Sequence, residues 1–297
     1  MPLWSPSAST AAARVHRATD GAARILGHGD TPALRRLLAS DPVAHVAAGD
    51  AVSSRSTAAP GRGRQGALIL GVDEGPGLAA ACWLGTNIMP IGASAEHARL
   101  FGEAARSLRR RVSSIFGPAE AVLALYETTG WDNHRDIRPH QPLMAITGPS
   151  EVEPLAGVRL SRPEELRSVE KACAAMFTEE LGFSPYAQGV TQYRDRIRWL
   201  IENGRSLIKV DEESGHIVFK AEFGALSDDV VQVQGVWVNP AWRGQGLAAG
   251  GMAAVVEHGL RLAPTVSLYV NDYNTPALRT YHRVGFETTG TFATILF

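Results

Sequence analysis

Val236-Trp237-Val238-Asn239-Pro240-Ala241-Trp242-Arg243-Gly244-Gln245-Gly246-Leu247-Ala248 is the stretch that decides the fold. An apolar strand-like run, Val230–Val238, leads into it, and an Ala-rich helical pattern, roughly Leu247–Leu262, leads out. Gly244 and Gly246 let the backbone turn tightly and aim successive N–H groups at one point. The helix start adds its dipole and its unpaired N–H groups. Strand, glycine turn and helix start together form an anion site suited to a pyrophosphate. Arg243 adds a charge-assisted contact or closes the loop. A rival reading uses Gly244, Gly246 and Ala249 as a G-x-G-x-x-A dinucleotide fingerprint, with Asp272 near the end of the next strand. Such a unit needs further βαβ repeats, and only 48 residues follow Ala249. The incoming strand also arrives from an antiparallel meander rather than a parallel crossover.

That meander lies upstream as Leu207–Val210, Ile217–Phe223 and Val230–Val238, joined by turns at 211–215 and 226–229. Before it, Ser161-Arg162-Pro163-Glu164 has the form of a capping box. The helix behind it carries Leu166, Val169, Cys173, Met176 and Phe177 on one face, and a second helix covers about Thr191–Asn203. Downstream come a strand at Val266–Val270, a helix at Thr275–Val284 and a last strand at 286–297.

V-x-V-x-P-x-x-R-G-x-G-x-A followed by Asn274-Thr275-Pro276-Ala277-Leu278-Arg279-Thr280-Tyr281-His282-Arg283-Val284-Gly285-Phe286 resembles the GCN5-related N-acetyltransferases (GNAT). The family pattern R/Q-x-x-G-x-G/A falls on Arg243, Gly246 and Ala248, and the resemblance covers about residues 155–297. It implies an α/β fold of mixed, mostly antiparallel sheets flanked by helices, and an acetyl-CoA cosubstrate. The implied cofactor contacts are Val236, Trp237 and Val238 along the pantetheine arm, Arg243, Gly244, Gln245, Gly246, Leu247 and Ala248 around the pyrophosphate, and Asn274 before the last helix. The implied chemistry is acetyl transfer to a primary amine by direct attack in a ternary complex. The Val236 N–H polarises the thioester carbonyl and Tyr281 protonates the leaving thiolate. Taken alone, Tyr281 reads as a buried aromatic packed with Leu278 and Phe286.

The general base is less well marked. Many family members have a Glu near the position of Gln234, and Gln cannot take a proton. Glu222, on the preceding strand, is the nearest carboxylate and the candidate catalytic base; its alternative is an ordinary strand residue. The C-terminal Phe297 and a water chain are lesser options. His282 points about 100° away from Tyr281 around the helix.

The first half echoes the second. Leu123, Tyr126 and Gly130 recur as Leu278, Tyr281 and Gly285 at an offset of 155, and Trp131 answers Phe286. Strands, a helix, a short strand and this helix recur in order, which implies tandem GNAT-like folds. Pro90-Ile91-Gly92-Ala93-Ser94 stands where the first copy needs its phosphate loop, so that copy is degenerate. This tandem layout is shared by mycothiol synthase. The expected division is a weakly ordered tail over 1–30, a degenerate domain over 31–147, a linker over 148–157 and a catalytic domain over 158–297. Residues 55–66 read as a Gly/Pro/Arg loop and 130–142 as irregular. Asp132, His134, Asp136 and His140 lack a recognisable metal-ligand spacing, so no metal is expected.

Composition narrows the partners. The 297 residues carry 29 basic and 30 acidic side chains, and this near-neutral balance gives no field drawing the chain to nucleic acid or anionic lipid. Only three basic residues are lysines (Lys171, Lys209 and Lys220), which reads as genomic bias. Two isolated cysteines fit a reducing cytoplasm. Neither a signal-peptide core nor 18 consecutive apolar residues occurs, so no membrane association is expected. The expected partner is an amine acceptor, with a homodimer as a further option. Two alternatives stand beside the N-acetyltransferase: a catalytically idle CoA-binding or sensing module, and a mycothiol-synthase-like transferase acting on a small amino sugar conjugate.

Overall fold

The structure, a computed structural model, describes residues 6–61 and 66–297. Its first elements are α1 (Pro6–Ala18), β1 (Arg24–Ile25), α2 (Thr31–Ala39), α3 (Pro42–Ser53), β2 (Leu68–Glu74), β3 (Gly77–Leu84), β4 (Asn87–Ile91), α4 (Ala95–Leu108), β5 (Ser114–Pro118), α5 (Ala119–Thr129) and β6 (Asp136–Ile146). There follow β7 (Arg159–Leu160), α6 (Leu166–Leu181), α7 (Val190–Glu202), β8 (Ser206–Val210), β9 (Ile217–Leu226), β10 (Val230–Val238), α8 (Leu247–Leu260), β11 (Thr265–Tyr269), α9 (Thr275–Val284) and β12 (Glu287–Leu296). The chain divides into two units. One comprises residues up to Leu143 with Tyr269–Tyr273 and Thr288–Phe297; the other comprises Met144–Leu268 with Asn274–Glu287.

In the first unit the strands run β1-β2-β3-β4-β5-β12, all neighbours antiparallel except β4 and β5, which are parallel. Leu70, Cys82, Ile88, Phe101, Ile115 and Leu125 form a core on one side, and Leu34, Val52, Ile69 and Ile91 form a second. Gly102, a weak helix former, sits where α4 meets α5: a side chain there would strike Thr128 Oγ1 and the Leu125 carbonyl. Close helix packing, not loop structure, explains this glycine.

Three expectations change here. Of the tail expected over 1–30, residues 1–5 lie outside the described residues, and the rest is built in: α1 places Val15 in the core and β1 pairs with β2. The last strand pairs with β5 and contributes Ala293 and Ile295 to this core, so the second unit does not run to residue 297. β6 begins inside the stretch read as irregular; Pro139 and Pro142 lack the N–H of a regular ladder, which hid it. Of the 55–66 loop, residues 62–65 lie outside the described residues.

The second unit orders its strands β11-β10-β9-β8-β7, parallel between β11 and β10 and antiparallel elsewhere. Val169, Cys173, Ile197, Ile201, Ile208 and Trp237 pack α6 and α7 onto this sheet. The capping box closes one residue later than expected. Glu165 accepts from the Arg162 N–H, while Ser161 bonds Ser206 instead. Residues 148–157 are tied down rather than loose: Leu155 N–H donates to Gly250 O at 2.8 Å and Ser150 Oγ to Val284 O at 2.7 Å.

Candidate functional site

β10 is the axis of the site. Its parallel pairing with β11 covers Val230, Val231 and Gln232 and goes no further among the described residues. Val233–Val238 therefore leave one strand edge open. On the other edge Gln234 faces Glu222 and Trp237 faces Lys220, and the register slips between these pairs. Gly235 and Val236 fill that slip as a β-bulge, with Gly235 at φ +60°.

The turn after β10 follows from local chemistry. Asn239 Oδ1 accepts from Ala241 N–H at 3.2 Å and starts a short 3-10 turn over Pro240–Trp242. Gly244 and Gly246 adopt φ +78° and +76°, a region open to glycine at little cost. No side chain caps α8, and its first turn holds no acid. The amides of Gly244, Gln245 and Gly246 have no acceptor among the described residues. With the helix dipole behind them, they form an open cradle for an anion.

Arg243 closes this loop rather than reaching into the cradle. Its Nε donates to Val238 O at 3.0 Å and its guanidinium pairs with Glu179 of α6, as close as 2.6 Å. Trp237 Nε1 donates to the same carboxylate at 3.2 Å. Arg243 holds the Glu179 carboxyl below its usual range. Of the strand residues, Trp237 buries its ring in the α6–α7 core and Val238 has its carbonyl engaged, so Val236 is the least committed. Gln245 is exposed, and Leu247 and Ala248 are half-buried at the helix start.

Asn274 acts as a helix cap. Its Oδ1 accepts from Ala277 N–H at 3.3 Å, which is why α9 begins at Thr275. Tyr281 is 8% exposed and packs edge-on against Phe286 at 6.0 Å. Its hydroxyl has no hydrogen-bond partner among the described residues. Burial, with the nearby charge of Glu180, raises its pKa, so the phenol keeps its proton at neutral pH. His282 is exposed, on a different face of the helix from Tyr281.

Glu222 is 2% exposed and heavily engaged. Lys220 Nζ lies 2.8 Å from Oε1 and Cys173 Sγ 3.3 Å; Arg196 and Gln234 Nε2 both lie 3.2 Å from Oε2. Burial alone would raise its pKa, but the Lys220 and Arg196 charges overrule burial and hold it at about 2. A carboxylate held by four donors and lowered in basicity is engaged as a counter-ion, an arrangement that weighs against the base expected at Glu222. Phe297 packs against Tyr126 and Trp131 in the first unit. The other acid and histidine candidates pair locally: His134 with Tyr126, Asp136 with Arg138 and His140 with Asp272. No metal-holding cluster occurs among the described residues.

The sequence reading missed Lys220. It was visible as a lone lysine inside the apolar run Ile217-Val218-Phe219-Lys220-Ala221-Glu222-Phe223, two residues from an acid and so on the same strand face.

Residues 171–286 match the acetyltransferase (GNAT) family model. This part of the chain is a GNAT acetyltransferase domain. Residues 67–169 match a domain of unknown function (DUF4081), which takes in β2 to β6. A mycothiol acetyltransferase from Brachybacterium faecium is 31% identical over 189 residues, 59% of this chain and 56% of its own length. The chain thus matches little more than half of that curated relative. A GCN5-related N-acetyltransferase from Sphaerobacter thermophilus superposes with a TM-score of 0.54 at 20% identity, over 92% of this chain and 94% of that one. A tandem GNAT protein from the clavulanic acid biosynthesis pathway gives 0.52 at 15%, over 92% and 97%. Both structures share the GNAT fold with this chain, and the second shares it in a tandem layout. No helix among the described residues is long and apolar enough to cross a membrane.

Proposed function

We propose that the chain is an acetyl-CoA-dependent N-acetyltransferase that moves an acetyl group to a primary amine by direct attack in a ternary complex. The observation that carries this reading is the parting of β10 from β11 after Gln232, bulged at Gly235 and continued into a glycine turn of unengaged amides. An open strand edge suits an extended amide-bearing arm, by the same backbone pairing that adds a peptide strand to a sheet. The turn suits the pyrophosphate at its end. Both features fit acetyl-CoA, and neither requires a metal.

Bound acetyl-CoA supplies the thioester carbonyl that the amine attacks. The chain contributes the rest. Amides from Arg243 to Ala248 hold the pyrophosphate, with the Arg243–Glu179 pair keeping their loop in shape. The Val236 N–H donates to the carbonyl oxygen as negative charge builds there. Tyr281, kept protonated by burial, gives its proton to the departing sulfur. With Glu222 bound in an ion pair, water relays the amine's proton to bulk.

Likeness to a mycothiol acetyltransferase over 59% of the chain favours one acceptor class, a thiol-bearing amino sugar conjugate. The idle-module reading rests on Gln234 and on the engagement of Glu222, which leave the strand without a free carboxylate. Release of free CoA thiol, measured with a cysteinyl amino sugar, simple primary amines and peptide N-termini, separates these readings. Acceptor-dependent release is expected. Acetyl-CoA binding without release for any acceptor would favour the idle module.

A further inference from the structure

The second unit contains a lysine with no exposed surface, and the acetyl-transfer chemistry above gives it no part. Lys220 Nζ is completely buried between β9, β10 and α6. It donates to Glu222 Oε1 at 2.8 Å and to the carbonyl of Gly235 at 2.9 Å, with Met176 Sδ at 3.5 Å. Burial works against its charge, but Glu222 outweighs burial and keeps it protonated. An isolated buried ammonium is costly, so the counter-ion is a condition of its presence.

What this ammonium grips is the bulge. Gly235 and Val236 are the residues passed over when the register slips between Gln234 and Trp237. A bulge loses regular ladder bonds, and its peptides are otherwise free to tilt. The Gly235 carbonyl and the Val236 N–H belong to one planar trans peptide, so they point in opposite directions. Fixing the carbonyl on Lys220 therefore fixes the N–H on the other side. A side chain on residue 235 would come within 3.1 Å of Nζ and 3.2 Å of the Glu222 carboxyl carbon, so glycine leaves room for the grip.

We propose that Lys220 is a positioning residue: its ammonium anchors the Gly235 carbonyl and thereby aims the Val236 N–H at the thioester carbonyl, with Glu222 as its counter-ion. This rests on the acetyl-CoA reading. It adds that the strength of the carbonyl-polarising bond is set from the other side of the bulged peptide, by a residue that touches no substrate.

The test uses acetyl-CoA labelled with carbon-13 at the thioester carbonyl, bound to the full chain, with the carbonyl stretch read by difference infrared spectroscopy. Binding to the wild-type chain is expected to lower the stretch relative to free acetyl-CoA. Lys220→Met is expected to lose more than about half of that shift while Kd changes by less than about threefold, because the phosphate cradle is untouched. Glu222→Gln is expected to keep a shift between those of the wild type and Lys220→Met, because the buried amine without its counter-ion gives up its charge but still reaches the Gly235 carbonyl with a neutral N–H. Should Lys220→Met fail to fold with Glu222 left unpaired, Lys220→Met/Glu222→Leu removes both charges and is expected to show the same loss of shift. A wild-type shift in a folded, acetyl-CoA-binding variant lacking Lys220 would overturn the proposal. So would a wild-type chain that binds acetyl-CoA without any shift, while the cosubstrate assignment stood. A wild-type chain that does not bind acetyl-CoA would remove the cosubstrate assignment itself, and the proposal with it.

Discussion

The turn after β4 and the turn after β10 are the same design carried to different ends. Each follows a strand that pairs in parallel with its neighbour for only two or three residues and then leads to a helix. After the last parallel rung β10 runs six more residues, Val233–Val238, whereas β4 runs three, Met89–Ile91, one of them a proline without an N–H. At roughly 3.3 Å per residue, the open edge in the first unit is half as long.

The first turn also satisfies itself. Gly92 N–H donates to His45 Nε2 at 3.0 Å, and Ser94 Oγ accepts from His97 N–H at 3.3 Å. Burial lowers the His45 pKa, so a neutral ring is there to accept. Glu96 in the first turn of α4 opposes an anion. The tyrosines diverge in the same sense. The Tyr126 hydroxyl is bonded to His134 at 2.6 Å, while that of Tyr281 has no partner among the described residues. What separates the two copies is whether the N–H and O–H donors are already used, more than the fold around them. A donor with an internal partner holds structure; one without a partner is available to a ligand.

The largest effect is expected at Gly246. Gly246→Asp places a carboxylate in the cradle at a positive φ and should weaken acetyl-CoA binding by at least about 1,000-fold in calorimetry, with Gly246→Asn, equal in shape but neutral, losing far less. Equal losses in the two variants would mean that backbone strain, not charge, governs the turn.

The Glu222 ion pair predicts an acid limb. Its folded pKa is depressed from 4.5 to about 2, so the pair stabilises fully above pH 4.5 and loses this contribution as pH falls towards 2. The amount is about 3 kcal/mol. Urea midpoints measured across that range should fall, and less steeply in Lys220→Met/Glu222→Leu. An identical slope would show that the carboxylate is not held low.

Tyr281→Phe should cut turnover by about 100-fold while acetyl-CoA affinity stays within about threefold. Lost affinity with unchanged turnover would return Tyr281 to plain packing. The smallest effect is expected in the first unit. His45→Ala removes the acceptor of Gly92 N–H and should lower stability by about 2 kcal/mol in urea unfolding, with no change in acetyl-CoA binding. A binding change would show that the first turn also takes part.

Much of the second unit was legible because its signals are local. Apolar runs bounded by turns marked β8 to β10, Gly244 and Gly246 marked the turn, and Thr275–Val284 matched α9 residue for residue. The rest depended on partners distant in sequence. The last strand reads as part of the second domain, yet its ladder is with β5, more than 150 residues earlier. Glu222 reads as a base on its own, and the groups that engage its carboxylate, Lys220, Arg196 and Cys173, come from contacts that this reading does not reach. Asn274 and Arg243 carry the family pattern, but the structure engages both in shaping the chain. His45 and Pro90, which close the first turn, carry no motif at all.

The central claim is one open cradle per chain, and isothermal calorimetry of the intact chain with acetyl-CoA, and separately with NADH, tests it most directly. The account predicts micromolar acetyl-CoA binding at one site per chain and no NADH binding. Two acetyl-CoA sites per chain, none, or binding of NADH in place of acetyl-CoA would contradict it.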